Sequence, residues 1–221
     1  MTLPPTASPA MLQAAMRIQL KQSAEKSFRA FVEQAWHILE PATQFVPGMH
    51  VDAMCLHLQA VTEGRIKDLI INVAPGSAKS LITSVMWPAW AWIIRPELRW
   101  LFSSYRAELA LRDSVKCRTL IESPWYQERW GDRFKFDESQ NQARRYQNTK
   151  MGYRATTSVG TGTGERCDVC VCDDPTSVDQ ADSDAERNTA NTWWLGTMST
   201  RLNDQKTGHF VMIQQRLHEE D

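Results

Sequence analysis

Apolar residues recur at two different periods along this chain, and the switching between them outlines its architecture. Phe28, Phe31, Val32, Ala35, Trp36 and Leu39 repeat at helical spacing. They predict an amphipathic helix, capped near Ser23 and stopped by Pro41. A second helix is predicted over Val51 to Val61, with Gly64 just past its end. Short apolar runs at 68–73, Trp100–Ser103, Cys167–Cys172 and Phe210–Arg216 read instead as strands. Helical segments separate them. One follows Lys79 and is kinked or restarted at Pro88; another spans Glu108–Ile121 with Arg112 and Lys116 on its polar side. A third opens at Ser183-Asp184-Ala185-Glu186, which has the form of a capping box, and places Ala190, Trp193, Trp194, Thr197 and Met198 on one face. Residues 143–158 alternate around Lys150-Met151-Gly152 and predict a β-hairpin. Trp87, Trp90 and Trp92 read as packing. Strands alternating with helices predict an α/β fold with a mainly parallel sheet.

The first strand runs into Ala74-Pro75-Gly76-Ser77-Ala78-Lys79-Ser80, with a helical run beyond. Such a loop can cradle a triphosphate. Small residues let backbone N–H groups turn toward phosphate oxygens, Lys79 supplies a point charge, and the Ser80 hydroxyl can ligand Mg²⁺. The pattern G-x-x-x-x-G-K-[ST] is incomplete, because Val73 and Ala78 stand at its two glycine positions and Gly76 is the residue suited to positive φ. An ordinary strand-to-helix turn with an exposed lysine has the same outline. A second signal comes from the strand that ends in Asp173-Asp174-Pro175. Adjacent acids at a strand's carboxyl end can hold Mg²⁺ with the first, Asp173, and polarise the attacking water with the second, Asp174. A simple strand cap and turn is the plainer alternative. Both signals sit at strand carboxyl ends, and so on the same edge of a parallel sheet.

Composition narrows the class. The chain of 221 residues is 42% hydrophobic and 23% charged, as a soluble globular domain is, and no run of 18 apolar residues appears. Met1 to Pro9 lack the basic start and apolar block of a signal peptide, so residues 1–22 are expected to form a flexible leader and 23–221 the folded domain. Five cysteines without a secretion signal point to reduced thiols. Cys167-x-x-Cys170 resembles half a zinc site, but strand alternation is expected to turn its thiols to opposite faces. Net charge is −1 overall, yet 95–166 carry 14 Lys+Arg against 9 Asp+Glu, whereas 167–221 carry 4 against 11. The basic middle, with Arg106, Arg112, Lys116, Arg118, Arg144, Arg145, Lys150 and Arg154, suits transient contact with a phosphate backbone or a solvated face. Gly160 to Gly164 form a glycine-rich loop before the acidic strand, a lid or a plain connection.

Taken in order, these segments resemble the ATPase domain of tailed-phage terminase large subunits, from about Phe45 to the final residue. The resemblance rests on Glu63 to Val73, the Ala-Pro-Gly-Ser-Ala-Lys-Ser loop, Ser103-Ser104-Tyr105, Ile121 to Gln127, Val171 to Pro175 and Ile213 to Asp221. It implies a P-loop NTPase of ASCE type and Mg²⁺-dependent ATP hydrolysis that drives double-stranded DNA into a procapsid. It also implies a homo-oligomeric ring on the portal protein, a small terminase subunit as partner, and a place in the host cytoplasm without membrane contact. By resemblance, Lys79 and Ser80 serve phosphate and metal, Asp173 serves Mg²⁺, and Asp174 is the catalytic acid. Gln215 and Arg216 match a strand-end motif that senses the γ-phosphate, while His50 and Gln44 lie where the base is contacted.

Two departures follow. Close relatives usually carry an arginine in the loop where this chain has Gly76, so transition-state charge must come from elsewhere in the chain or from a neighbour, with Arg106 and Arg112 as candidates and Arg144 or Arg145 able to serve in trans. Relatives also carry a C-terminal nuclease; Glu219-Glu220-Asp221 are an acidic run without a metal cluster, and no nuclease activity is expected of this chain. Two alternatives stay open: a degenerate P-loop scaffold, and a helicase-like ATPase, which would need a second motor domain.

Overall fold

The computed structural model describes residues 8–161 and 164–219. Residues 1–7 of the expected leader, Gly162 and Thr163 of the glycine-rich loop, and Glu220 and Asp221 of the terminal acidic run lie outside them. Three helices come first: α1 (Pro9–Lys26), α2 (Phe28–Leu39) and α3 (Met49–Thr62). Strand β1 (Asp68–Asn72), a π-helical turn at Leu81–Met86, α4 (Trp87–Ile94), β2 (Trp100–Ser104), α5 (Ala107–Glu122) and α6 (Pro124–Trp130) follow. Then come β3 (Phe136–Asn141), β4 (Arg145–Asn148), β5 (Tyr153–Ser158), β6 (Val169–Asp173), α7 (Val178–Ala181) and α8 (Asp184–Thr192), which continues through a second π turn at Trp193–Thr197. Strand β7 (His209–Gln214) completes the sheet.

The seven strands run in the order β1-β7-β6-β2-β5-β4-β3. The first five are mutually parallel, and β4 and β3 continue antiparallel from β5. The fold is therefore α/β with a mostly parallel sheet flanked by helices, an architecture compatible with P-loop NTPases and shared by others. Because β1, β7, β6 and β2 point the same way, their carboxyl ends meet at one edge. Backbone bonds continue past the strand ends there, from Val73 N to Gln214 O at 3.1 Å, Asp174 N to Ile213 O at 2.8 Å and Tyr105 N to Asp174 O at 3.0 Å.

The two faces of the sheet are buried differently. One carries the main core, where Trp87, Trp90, Trp92 and Trp100 pack with Phe28, Phe31 and Trp130 between helices and sheet. Each indole of the α4 group also finds a hydrogen-bond acceptor: Trp87 the Thr62 hydroxyl, Trp90 the Ala24 carbonyl, Trp92 the Leu98 carbonyl. The other face holds a smaller cluster with Leu101, Cys170, Cys172, Trp193 and Met198.

Several sequence expectations are corrected. Residues 9–22, assigned to a flexible leader, are helical. Ser8 caps α1, Pro9 takes the first-turn position that needs no N–H, and the helix packs its last turn, through Ala24, into the core. Its outer part leaves Met11, Leu12, Met16 and Ile18 exposed, so amphipathic periodicity gives no sign of it. The helix holding Phe28 is capped by Ser27, not Ser23. At Ser183 half of the expected box forms, the hydroxyl accepting from Glu186 N; the reciprocal box closes at Ser177 and Gln180 instead. Cys167 and Cys170 share one apolar cluster rather than opposite faces. Cys167 precedes β6 in a single bridge to Leu202, and strand alternation does not reach back to it.

Candidate active site

Backbone conformation in the loop after β1 follows from its residues. Gly76 takes φ +78°, and Ala78 takes φ +58°, a left-handed conformation at a position where the phosphate-loop pattern has glycine. The second turn brings Lys79 inward, so that its side chain is nearly buried at the head of the π turn. Asp174 is also left-handed, φ +48°, which aspartate tolerates better than most residues. That twist ends β6 and points the carboxylate at the loop.

Lys79 Nζ donates to Asp174 Oδ1 at 2.6 Å. Gln215 N, just past β7, donates to the same oxygen at 3.2 Å. Asp173 is 7% exposed and takes a hydrogen bond from Ser84 Oγ at 2.9 Å on Oδ2, while among the described residues Oδ1 has no hydrogen-bond partner. Burial pushes the Asp173 carboxyl up to about 6, opposed by the Ser80 and Ser84 hydroxyls and assisted by the charges of Asp174 and Asp113. Ser80, Ser84, Asp173 and Asp174 border a cleft that continues between β2 and α5 past Tyr105, Arg112 and Asp113. An acid with one free, buried oxygen beside a serine hydroxyl is a donor set suited to a single hard divalent cation that keeps waters and phosphate oxygens as its other ligands. Among the described residues no cluster of three His, Cys, Asp or Glu forms a closed metal cage. Compared with protein-family models and with curated proteins, the chain matches none.

The predicted residues divide by position. Lys79, Ser80, Asp173 and Asp174 come together, with Gln215 joined through its backbone. Arg112 lines the cleft and is held by Asp113, Nε to Oδ1 at 2.8 Å. Pro75 and Gly76 form the exposed rim of the loop, and Ser77 Oγ is buried without a hydrogen-bond partner among the described residues. Arg106 precedes α5, exposed, with its guanidinium 5.5 Å from the Tyr105 ring. Arg216 bonds the carbonyls of His218 and Glu219 in the turn that follows it. His50 lies on α3 in a groove that reaches Asn72 and Val73 at the end of β1. Arg145 stacks on Tyr153 and pairs with Glu165, and Arg144 is exposed.

Ser84 and Asp113 border the site and carried no assigned role from sequence; Arg154, expected with the basic residues of a phosphate-contacting or solvated face, is instead fully buried against the same cleft. Ser84 had a readable signal, since it stands one helical turn beyond Ser80 and shares its side. The five cysteines are buried. Burial pushes the Cys55 and Cys172 thiols up to about 12, as inert packing residues require.

Among the described residues no helix is long and apolar enough to cross a membrane.

Proposed function

We propose that this site binds and hydrolyses a nucleoside triphosphate, ATP by the resemblance, with Mg²⁺ as cofactor on a P-loop NTPase fold. The reading is carried by the 2.6 Å contact between Lys79 and Asp174, which joins the loop after β1 to the acid pair at the carboxyl end of β6. A lysine and a carboxylate poised this way are where a γ-phosphate and its attacking water would need them. Lys79 would exchange Asp174 for β/γ oxygens, and the released carboxylate would orient water and accept its proton. Bound Mg²⁺ supplies charge neutralisation at the phosphates, with Ser80 Oγ and Asp173 Oδ1 as this chain's ligands, directly or through water. Backbone N–H groups of the Gly76 to Ser80 loop would hold the remaining oxygens. Gln215 N already binds the Asp174 carboxylate, so a displacement of Asp174 would be felt in the segment leading to Arg216. That is a route from hydrolysis to motion.

By the order of its motifs, we extend the reading to the motor domain of a terminase large subunit. Its cargo would be double-stranded DNA, and its partners the portal protein, the small terminase subunit and further copies of itself. Mg²⁺-dependent phosphate release is the direct test. Lys79→Ala and Asp174→Asn are each expected to lower turnover by about 10²-fold or more, the scale of losing one group that acts on the transition state. Asn also tolerates left-handed φ, so the second variant keeps the turn. Undiminished turnover in both variants rejects the assignment.

A second reading, a non-hydrolysing P-loop scaffold, is favoured by Ala78 standing left-handed in place of glycine. Calorimetry with a non-hydrolysable ATP analogue separates the two, because a scaffold of this kind would show no Mg²⁺-dependent binding.

A further inference from the structure

Beneath the metal-facing acid lies a guanidinium that the proposed chemistry does not use. Arg154, on β5, is 0% exposed. Its guanidinium carbon stands 3.7 Å from the centre of the Phe102 ring. Among the described residues Nε and Nη2 find no hydrogen-bond partner and the guanidinium forms no ion pair with a carboxylate. Burying such a charge is unfavourable. Its retention calls for an account.

The one strong contact is informative. Arg154 Nη1 donates to the Ser84 carbonyl at 2.6 Å. In an α-helix that carbonyl would accept from the residue four positions on, which here is Pro88, without an N–H. The backbone opens into the π turn over Leu81–Met86, and Arg154 supplies a donor to the oxygen that Pro88 cannot serve. The Ser84 side chain faces the other way, its Oγ donating to Asp173 Oδ2 at 2.9 Å. One residue is thus held at its carbonyl by Arg154 while its hydroxyl holds Asp173. Arg154, Ser84 and Asp173 border the same cleft.

We propose that Arg154 is a positioning residue for the divalent-cation site: it pins the π turn so that Ser84 fixes Asp173 by Oδ2 and leaves Oδ1 free for the metal. The inference rests on the Mg²⁺-nucleotide reading above. It assigns the chain from Arg154 through Ser84 to the metal-dependent part of binding, and none of it to the phosphate loop.

The test compares the affinity of a fluorescent ADP analogue in EDTA with that in Mg²⁺, alongside the Mn²⁺ paramagnetic resonance signal as a direct measure of metal capture. Wild type, Arg154→Met, Arg154→Lys, Ser84→Ala and the double variant Arg154→Met/Ser84→Ala are compared, each first checked by its thermal melt. Arg154→Met and Ser84→Ala are each expected to cut the metal-dependent gain by roughly 10-fold, the scale for losing a group that orients a metal ligand. Affinity in EDTA should stay within about twofold. Arg154→Lys, which still offers a donor to the Ser84 carbonyl, should recover part of the loss. The double variant should be no worse than the weaker single one, because both act through one link. An unchanged metal-dependent gain in Arg154→Met overturns the proposal; if that variant does not fold, an unchanged gain in Ser84→Ala does so. An equal fall in EDTA and Mg²⁺ also overturns it, since that marks general loosening. A wild type with no metal-dependent gain sinks the Mg²⁺-nucleotide reading itself, and this inference with it.

Discussion

At the scale of single residues, the site is bought with backbone conformations that its side chains resist. Ala78 at φ +58° carries the left-handed strain of an L-residue, about 1–2 kcal/mol. Glycine at that position would remove the strain but add roughly 0.4–1 kcal/mol of unfolded-state freedom. The balance favours glycine slightly. Ala78→Gly is expected to leave the melting temperature unchanged or raise it, by an amount on the order of 1 kcal/mol in stability. Ala53→Gly on the exposed side of α3 should instead lose about 1 kcal/mol, the usual cost inside a helix. Opposite signs for the same chemical change, read by denaturant titration of both variants, would locate the strain in the loop. A loss at Ala78 as large as at Ala53 would refute it. Asp173 shows a related conflict. Its free oxygen and raised pKa reflect a carboxylate kept in a dry place, where stability alone would prefer an uncharged group.

At the scale of elements, what was legible in the chain is what local physics decides. The period of Phe28 to Leu39, the strand-loop-helix around Lys79 and the hairpin about Lys150-Met151-Gly152 rest on patterns within a few residues, and each lies where the pattern put it. The meeting of Lys79 with Asp174 was an expectation from the shared sheet edge, and the parallel order β1-β7-β6 brings it about. The rest depends on distant contacts. Nothing in the residues around Arg154 says that a carbonyl freed by Pro88 waits across the core. Nor does α1 announce itself, because its docking uses one short buried turn. Packing between elements also sets a pH response. His209 opens β7, buried, with Nδ1 3.3 Å from the Lys67 carbonyl. Burial holds it below its ordinary value of 6.5, and the Arg95 charge pushes the same way. A depressed histidine contributes stability that is fully present above the unfolded value and is lost as pH falls through the folded one. Urea midpoints should therefore fall from pH 7.5 to about pH 5 more steeply in wild type than in His209→Gln, whose amide can still donate to Lys67. Parallel curves for the two proteins would show that His209 titrates normally.

At the scale of the whole molecule, the uneven charge of the sequence becomes a polarity of the fold. The basic stretch 95–166 builds β2, β5, β4 and β3, one end of the sheet, whereas the acidic stretch 167–221 builds β6 and β7 together with α7 and α8. Surfaces of opposite sign on one chain suit contact between unlike faces of neighbouring copies, which builds rings or open filaments according to the rotation between copies. On the proposed nucleotide reading a neighbour would have a task, because the loop after β1 carries Gly76 where the resemblance implies an arginine that supplies transition-state charge. Within the chain, Arg112 borders the cleft but is held by Asp113, and Arg154 is fully buried. An arginine delivered by the next copy would meet the need and is worth about 10³–10⁵ in rate in related chemistry. Turnover per chain should then rise with protein concentration, and about 0.5 M salt, which shortens the reach of surface charge to a few ångströms, should flatten that rise. Mixing Lys79→Ala with Arg144→Ala chains extends the test: each variant alone is expected to be slow, and partial recovery in the mixture places Arg144 on the donor side of the contact. Turnover independent of concentration and indifferent to salt would put the charge in cis, with Arg112 leaving Asp113 when substrate arrives.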